Sequence, residues 1–393
     1  MKMEDNFAYG VDLGWLSQLE ERGVRWVDIS GRPDLPGGPD KSGKPDRPGA
    51  ADGASGGGGR EVDPLYKMKE LGADSVRLRV FVNPPREAFW TKKDGTQCML
   101  GFCDKDSVLE MSRRVKKAGM RLMIDFHYSD HFADPEYQDI PAEWEKEDGE
   151  GLRRRVYRHT KEVMTLLAEN GAAPDWVQVG NEINPGILLP AGSLQENPKQ
   201  LVSFLNAGYE AVKECVPAAQ VITHLSCVNI REVCDPFLDT FFALGGKTDI
   251  LGFSYYPYWY NMIQEIRGKK VTELFYNPLI AYAEKYQKPV MIVEVGGPET
   301  DAEGTYRLLV NTIEALKQVP NGMGKGIFYW EPEVGAELLP DRYPLGAALK
   351  VGENTLEFTS ALAAYGDCKK EAKAVYKNSA LKGKNNSHKS CRK

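Results

Sequence analysis

Val177-Gln178-Val179-Gly180-Asn181-Glu182 is a short apolar run that stops at a glutamate, and Val290-Met291-Ile292-Val293-Glu294 is a second. Runs of this kind fit strands buried on both faces, as in a parallel sheet wrapped by helices. A carboxylate at the C-terminal tip of such a strand lies where a (β/α)8 barrel opens to substrate. Either glutamate alone would serve equally well as a helix cap or in a rim ion pair. Two of them, each ending a strand, can flank a glycosidic bond, one protonating the leaving oxygen while the other attacks the sugar carbon.

Similar apolar, β-branched runs occur at Tyr9–Leu13, Ser75–Val82, Arg121–Phe126, Trp176–Gly180, Ala219–Leu225, Ile250–Ser254, Val290–Val295 and Gly326–Trp330. Between them, apolar residues spaced by three and four predict helices at Ser107–Ala118, Arg154–Ala168, Leu201–Cys215, Asn277–Lys285 and Thr305–Leu316. The alternation predicts an α/β chain folded as a single (β/α)8 TIM barrel over residues 1–379. An open nucleotide-binding sheet would carry a glycine-rich phosphate turn after an early strand, and neither the dinucleotide nor the Walker pattern is present.

Gly31 to Arg60 interrupts the pattern with ten Gly and five Pro in its thirty residues. Such a segment buries too little apolar surface to offset chain entropy, so a mobile insertion after the first strand is expected, on the catalytic face of the barrel. A tolerated insertion is the simpler reading and a substrate lid the alternative. The basic residues from Ala380 to Lys393 read as a disordered polar tail.

Net charge is −6, so no global field favours nucleic acid or an anionic membrane. No apolar run reaches the roughly 18 residues that would span a bilayer. Eighteen Tyr and seven Trp would suit either sugar-stacking surfaces or a large core. The seven Cys form an odd set; Cys98 and Cys103 would pair only in an oxidising compartment, and buried thiols are the main reading for the rest. His127 and His131 have the spacing of a helical zinc pair, but the intervening Tyr-Ser-Asp and the following Pro135 argue against a helix, so neither metal nor other cofactor is expected.

Asp125-Phe126-His127-Tyr128-Ser129-Asp130, Asp134-Pro135, Val177–Glu182, Ser254-Tyr255-Tyr256-Pro257, Glu294 and Tyr329-Trp330-Glu331-Pro332 are together similar to the signature segments of glycoside hydrolase family 53. That family comprises the endo-β-1,4-galactanases of clan A, and the resemblance runs in order from about Tyr9 to Tyr365, the insertion excepted. It implies Glu182 as acid/base and Glu294 as nucleophile. Asn181 would bind the 2-hydroxyl of the reacting sugar, Trp330 would floor that sugar, and Asp125, His127 and Tyr128 would line the pocket. Arg79 and the Tyr256 hydroxyl are expected to hydrogen-bond Glu294 and hold its pKa down. Asp130 and Asp134 would fix a loop or bind hydroxyls.

The implied substrate is β-1,4-galactan or type I arabinogalactan; the alternative is another β-1,4-glycan or short galacto-oligosaccharides. A monomer is expected. A polymer substrate implies action outside the cytoplasm, although Met1–Asn6 shows no apolar leader and a cytoplasmic role on imported fragments is the alternative. The chain departs from the family pattern at Phe132, where Trp is usual, and at Leu188-Leu189-Pro190, where Leu-Trp-Pro is usual. Both changes are expected to remove aromatic platforms from the cleft.

Overall fold

The computed structural model describes residues 6–28, 59–262 and 277–372. Eight parallel strands close into a barrel: β1 (Ala8–Asp12), β2 (Ser75–Val80), β3 (Arg121–Phe126), β4 (Trp176–Val179), β5 (Gln220–Leu225), β6 (Ile250–Tyr255), β7 (Val290–Val295) and β8 (Gly324–Tyr329). Each pairs with its neighbours in chain order, and β8 returns to β1 through Ala8–Gly326 and Val11–Tyr329. All eight runs read from the sequence are strands of this barrel, so the expected (β/α)8 fold is the observed one.

Besides a short helix at Leu16–Glu21, the helices are α1 (Pro64–Leu71), α2 (Lys105–Lys117), α3 (Gly149–Glu169), α4 (Pro198–Cys215), α5 (Arg231–Ala243), α6 (Pro278–Tyr286) and α7 (Ala302–Lys317). Three begin earlier than their apolar stripes because a side chain caps them. Asp104 accepts from the Asp106 and Ser107 amides, Asp148 from Gly151, and Asp301 from Gly304. The sequence pattern did not reveal α1, which is short, or α5, which carries Pro236 inside it and reads as broken.

Two cores follow from strand alternation. Residues facing the helices join the large outer core. A smaller cluster of Ala8, Met123, Trp176, Ile222, Ile250, Met291, Val293 and Phe328 fills the barrel interior beneath the polar residues of its open end.

An additional sheet was not foreseen. Arg25–Asp28, Arg60–Val62, Ala348–Gly352 and Thr355–Phe358 form four strands, with Asp28 paired to Arg60. The insertion therefore joins two paired strands; its residues Gly31–Gly58 lie outside the described residues, as does the tail from Ala380. The six described cysteines are all free thiols, Cys98 and Cys103 included. Among the described residues no helix is long and apolar enough to cross a membrane.

Candidate active site

Backbone geometry at the tips of β4 and β7 aims both glutamates into one cleft. After β4, Gly180 and Glu182 both take positive φ, 86° and 46°, a conformation costly for a non-glycine residue. The turn is held by His224 on β5, whose carbonyl accepts from Ile183 N at 3.0 Å and whose Nδ1 accepts from Glu182 N at 3.3 Å. In β7 the device is a bulge. Phe253 pairs with Ile292 but Ser254 pairs with Glu294, leaving Val293 as an extra residue. Strict alternation would send Glu294 outward with Ile292; the bulge turns it inward. Glu182 and Glu294 each offer an oxygen within 4.8 Å of the other.

Glu294 is held by a buried cation, and that cation is Arg77. Its Nη2 donates to Glu294 at 2.9 Å, to Asp125 at 2.7 Å and to Asn181 Oδ1 at 2.8 Å, while Nη1 donates to Asp12. Tyr256 donates its hydroxyl to the other Glu294 oxygen at 3.2 Å. The expectation for Arg79 is corrected: its guanidinium pairs with Glu331 and donates to Leu100 O, away from Glu294. Period-two alternation puts both arginines on the inward face of β2, so the sequence pattern cannot choose between them. The electrostatic expectation is corrected too. Burial raises the Glu294 pKa above its ordinary range; Arg77 and Tyr256 oppose this, Asp125 adds to it, and the net direction is upward.

Glu182 is raised further. Burial comes first, repulsion from Glu294 second, and a hydrogen bond from Ser254 opposes them. Its neighbour His224 is pushed well below the ordinary histidine range by burial and by Arg77, so it is a neutral imidazole. Its Nδ1 lies 2.8 Å from Gln178 Nε2 and 2.9 Å from Asn181 Oδ1, and its Nε2 lies 2.8 Å from Ser254 Oγ. Glu182, His224 and Glu294 also have the proximity of a ligand trio. With both ring nitrogens already engaged, His224 holds the turn and is not a spare ligand.

The cleft, about 370 Å³, carries Trp15, Phe132, Trp259, Trp330 and Tyr343 on its walls, with His127, Asp134, Asn181 and Tyr256 among its polar lining. Trp330 and Trp15 meet edge to face at 5.0 Å. Asn181 Nδ2 spends one hydrogen on Ala133 O at 2.8 Å and keeps the other for the cleft. His127 is neutral, its pKa lowered by burial; Nδ1 accepts from Ala133 N and Nε2 donates to Asp125. Asp130 ties Asn83 N to Ala142 N, the loop-fixing role expected of it.

Three expectations about the lining are corrected. Tyr128 faces the helix layer, with its hydroxyl on Thr160 of α3 and its ring stacked on Phe126. Alternation from Asp125 and His127 would have shown this. Asp125 is fully buried beneath the cleft, where Arg77, His127 and Gln178 surround it. Leu189 is not among the cleft-lining residues; its amide donates to Gln138 O, and it bridges Asp139. Sequence reading missed Arg77, His224, Trp15, Trp259 and Tyr343. Trp259, three residues after Tyr256 in the recognised loop, was the most accessible of these.

A barrel opening on opposed carboxylates and a wall of aromatic rings has the architecture of a glycoside hydrolase. Sequence comparison narrows the class. The chain belongs to glycosyl hydrolase family 53, whose family model matches residues 50–382. It is 29% identical over 359 residues to an uncharacterized protein in the bgaB 5′ region of Niallia circulans, covering 84% of each chain. It is 30% identical over 307 residues to the arabinogalactan endo-β-1,4-galactanase of Cellvibrio japonicus, covering 70% of this chain and 74% of that one. Among solved structures, the family 53 catalytic domain of Ignisphaera aggregans superposes with a TM-score of 0.71 at 25% identity, covering 93% of this chain and 96% of that one.

Proposed function

We propose that this enzyme is a retaining endo-hydrolase of β-1,4-galactan, including type I arabinogalactan, with Glu182 as acid/base and Glu294 as nucleophile. The observation that carries this reading is the approach of the two carboxylates to within 4.8 Å, each in a different electrostatic setting. Retaining glycosidases need their carboxyl groups about 5–5.5 Å apart, whereas inverting enzymes need room for a water between them. Family membership and the Cellvibrio japonicus relative support galactan as the substrate.

In this mechanism Glu294, kept ionised by Arg77 and Tyr256, attacks the anomeric carbon. The bond to the leaving oxygen breaks as Glu182 delivers its proton there, and a glycosyl ester forms on Glu294. Esterification removes the negative charge that raised the Glu182 pKa. Glu182 then takes a proton from water, hydroxide adds to the anomeric carbon from the vacated face, and Glu294 departs as carboxylate. The free N–H of Asn181 is available to the 2-hydroxyl as positive charge develops.

The test is reducing-sugar release from pure galactan, with mannan and xylan as controls, followed by azide rescue of two variants. Glu294→Ala loses turnover on every substrate. Glu182→Ala is crippled on galactan but keeps glycosylation of an activated aryl galactoside, and azide returns a β-configured product. Azide products of one configuration from both variants would overturn the role assignment.

A further inference from the structure

The region around Arg79 plays no part in the chemistry just described, yet it is as tightly built as the catalytic pair. Arg79 and Glu331 are both buried and form an ion pair, and Arg79 also donates through Nη2 to Leu100 O at 2.9 Å. The second half of the pair is fixed to the backbone after β1: Glu331 accepts from Gly14 N at 2.9 Å and from Trp15 N at 3.0 Å. Glu331 also holds a positive φ of 49°, next to Trp330 in the chain. Such strain in a non-glycine residue persists where its surroundings over-determine it. Glu333, fully buried, stands beside Glu331, its carboxyl meeting the Glu331 carboxylate and its own backbone N–H. Burial and Glu331 push its pKa well up, so it carries a proton that it can donate to Glu331.

Above this assembly sit the rings of the cleft. The Arg79 guanidinium carbon lies 4.9 Å from the Phe132 ring centroid, 5.3 Å from Trp15 and 6.0 Å from Trp330. All three rings line the cleft, and Arg79 does not. A planar cation can serve three π faces and edges together while its donors are spent on Glu331 and Leu100, which an ammonium cannot do. Gly14 completes the fit: a Cβ there would come within 2.1 Å of Arg79 Nη1.

We propose that Arg79 is a positioning residue for sugar binding: locked to Glu331, its guanidinium is the plate against which Trp15, Phe132 and Trp330 are arranged, so it sets affinity in the cleft without touching sugar or Glu294. The proposal rests on the galactanase reading for its substrate, but the arrangement of the rings can be read without any substrate. Two variants address it. Gly14→Ala displaces the guanidinium while keeping every charge, and Arg79→Lys keeps the charge while removing the plane.

The protein is labelled with 5-fluorotryptophan, and the Trp15 and Trp330 resonances are assigned by Trp→Phe replacement. In both variants these two 19F resonances shift or broaden while those of the other tryptophans stay in place, and far-UV circular dichroism is unchanged. With galacto-oligosaccharides, KM rises about fivefold or more while kcat stays within about threefold, as expected when binding common to ground and transition states is lost. Wild-type resonances at Trp15 and Trp330 in folded variants would overturn the proposal, and so would a fall in kcat at unchanged KM, which would place Arg79 in the chemistry through Asp12. If the wild-type enzyme releases no sugar from galactan, the substrate reading fails alone, and the resonances still decide the role of Arg79.

Discussion

Arg77 and Arg79 lie on one strand and one face of it, both are buried, and each is paired with at least one buried carboxylate. They nevertheless hold different halves of the site. Arg77 gathers Asp12, Asp125, Asn181 and Glu294, all polar groups of the reacting centre. Arg79 takes one carboxylate, Glu331, and spends its planar faces on aromatic rings. Asp12 links them, with Oδ2 on Arg77 and Oδ1 3.8 Å from Arg79 Nη1. A guanidinium surrounded by anions controls protonation states, whereas one surrounded by rings controls shape. Residue type and strand phase are the same for both; the difference comes from which loops arrive above each position.

The sharpest way to break this comparison is to remove the first cation. Arg77→Met leaves Asp12, Asp125 and Glu294 without their common counter-charge. The Glu294 pKa, already raised by burial, rises further, and the carboxylate needed for attack is depleted at neutral pH. We expect kcat to fall by about 10²–10³ or more, on the scale of losing a dedicated transition-state stabiliser. Stability should fall too, by roughly 3–5 kcal/mol, because buried charges lose their partner. Single-turnover kinetics beside a thermal melt separate the two effects. A folded Arg77→Met enzyme with near-normal kcat would mean that the two arginines do not divide the work in this way.

A smaller change sharpens the electrostatic half. Tyr256→Phe removes one of the two donors that oppose the burial-raised pKa of Glu294. The sign follows directly. The hydroxyl favours the ionised form, so without it the group keeps its proton to higher pH. The acidic limb of kcat/KM, which reports ionisation of Glu294 in the free enzyme, should move to higher pH by up to about one unit. The alkaline limb, set by loss of the Glu182 proton, should move far less. An acidic limb that stays in place would show that the Tyr256 contact does not bear on the reacting state.

The strands were legible because apolar runs with abrupt polar ends leave few alternatives, and Glu182 and Glu294 were legible as those ends. What sequence cannot encode locally is registry between distant segments. Choosing Arg77 over Arg79 needs the relative height of β2 and β7, and the inward turn of Glu294 needs the bulge at Val293. Tyr128 is a different kind of error, because the alternation that places His127 inward also places Tyr128 outward. Trp15 and Tyr343 reach the cleft from loops after β1 and β8, where no periodicity reports direction. The same limit explains Leu189: its neighbours matched a recognised loop, but a match does not say where the side chain points.

That last point orders two substitutions on the aromatic half. Phe132 lines the cleft above Arg79, whereas Leu189 does not line it. Phe132→Trp should lower KM for long galactan a few-fold, within the roughly 0.5–1.5 kcal/mol of an added aromatic contact, and leave kcat nearly unchanged. Leu189→Trp should leave both constants near wild type. The reverse ranking would show that long substrates cross the outer loop near Asp139 and that the cleft is longer on that side.

The smallest effect is expected farthest from both arginines. Asp28 and Arg60 are register partners in antiparallel strands, so the chain between them starts and ends at neighbouring points. Replacing Pro33–Gly58 by a tight turn preserves that pairing, and the loop it leaves needs only to span one inter-strand distance. Loop-closure entropy changes slowly with length, so shortening should alter stability by about a kilocalorie per mole at most, in the stabilising direction if at all. The strand that follows Arg60 leads into α1, whose Asp63 cap and Pro64 start lie outside the deletion. Differential scanning calorimetry of the shortened enzyme should therefore show a melting temperature within a few degrees of the full chain, and galactan turnover should be retained. A large loss of stability would mean that the segment packs on the barrel. Retained stability with a selective loss on polymer would instead assign it a part in holding long chains, joining it to the aromatic half of the site.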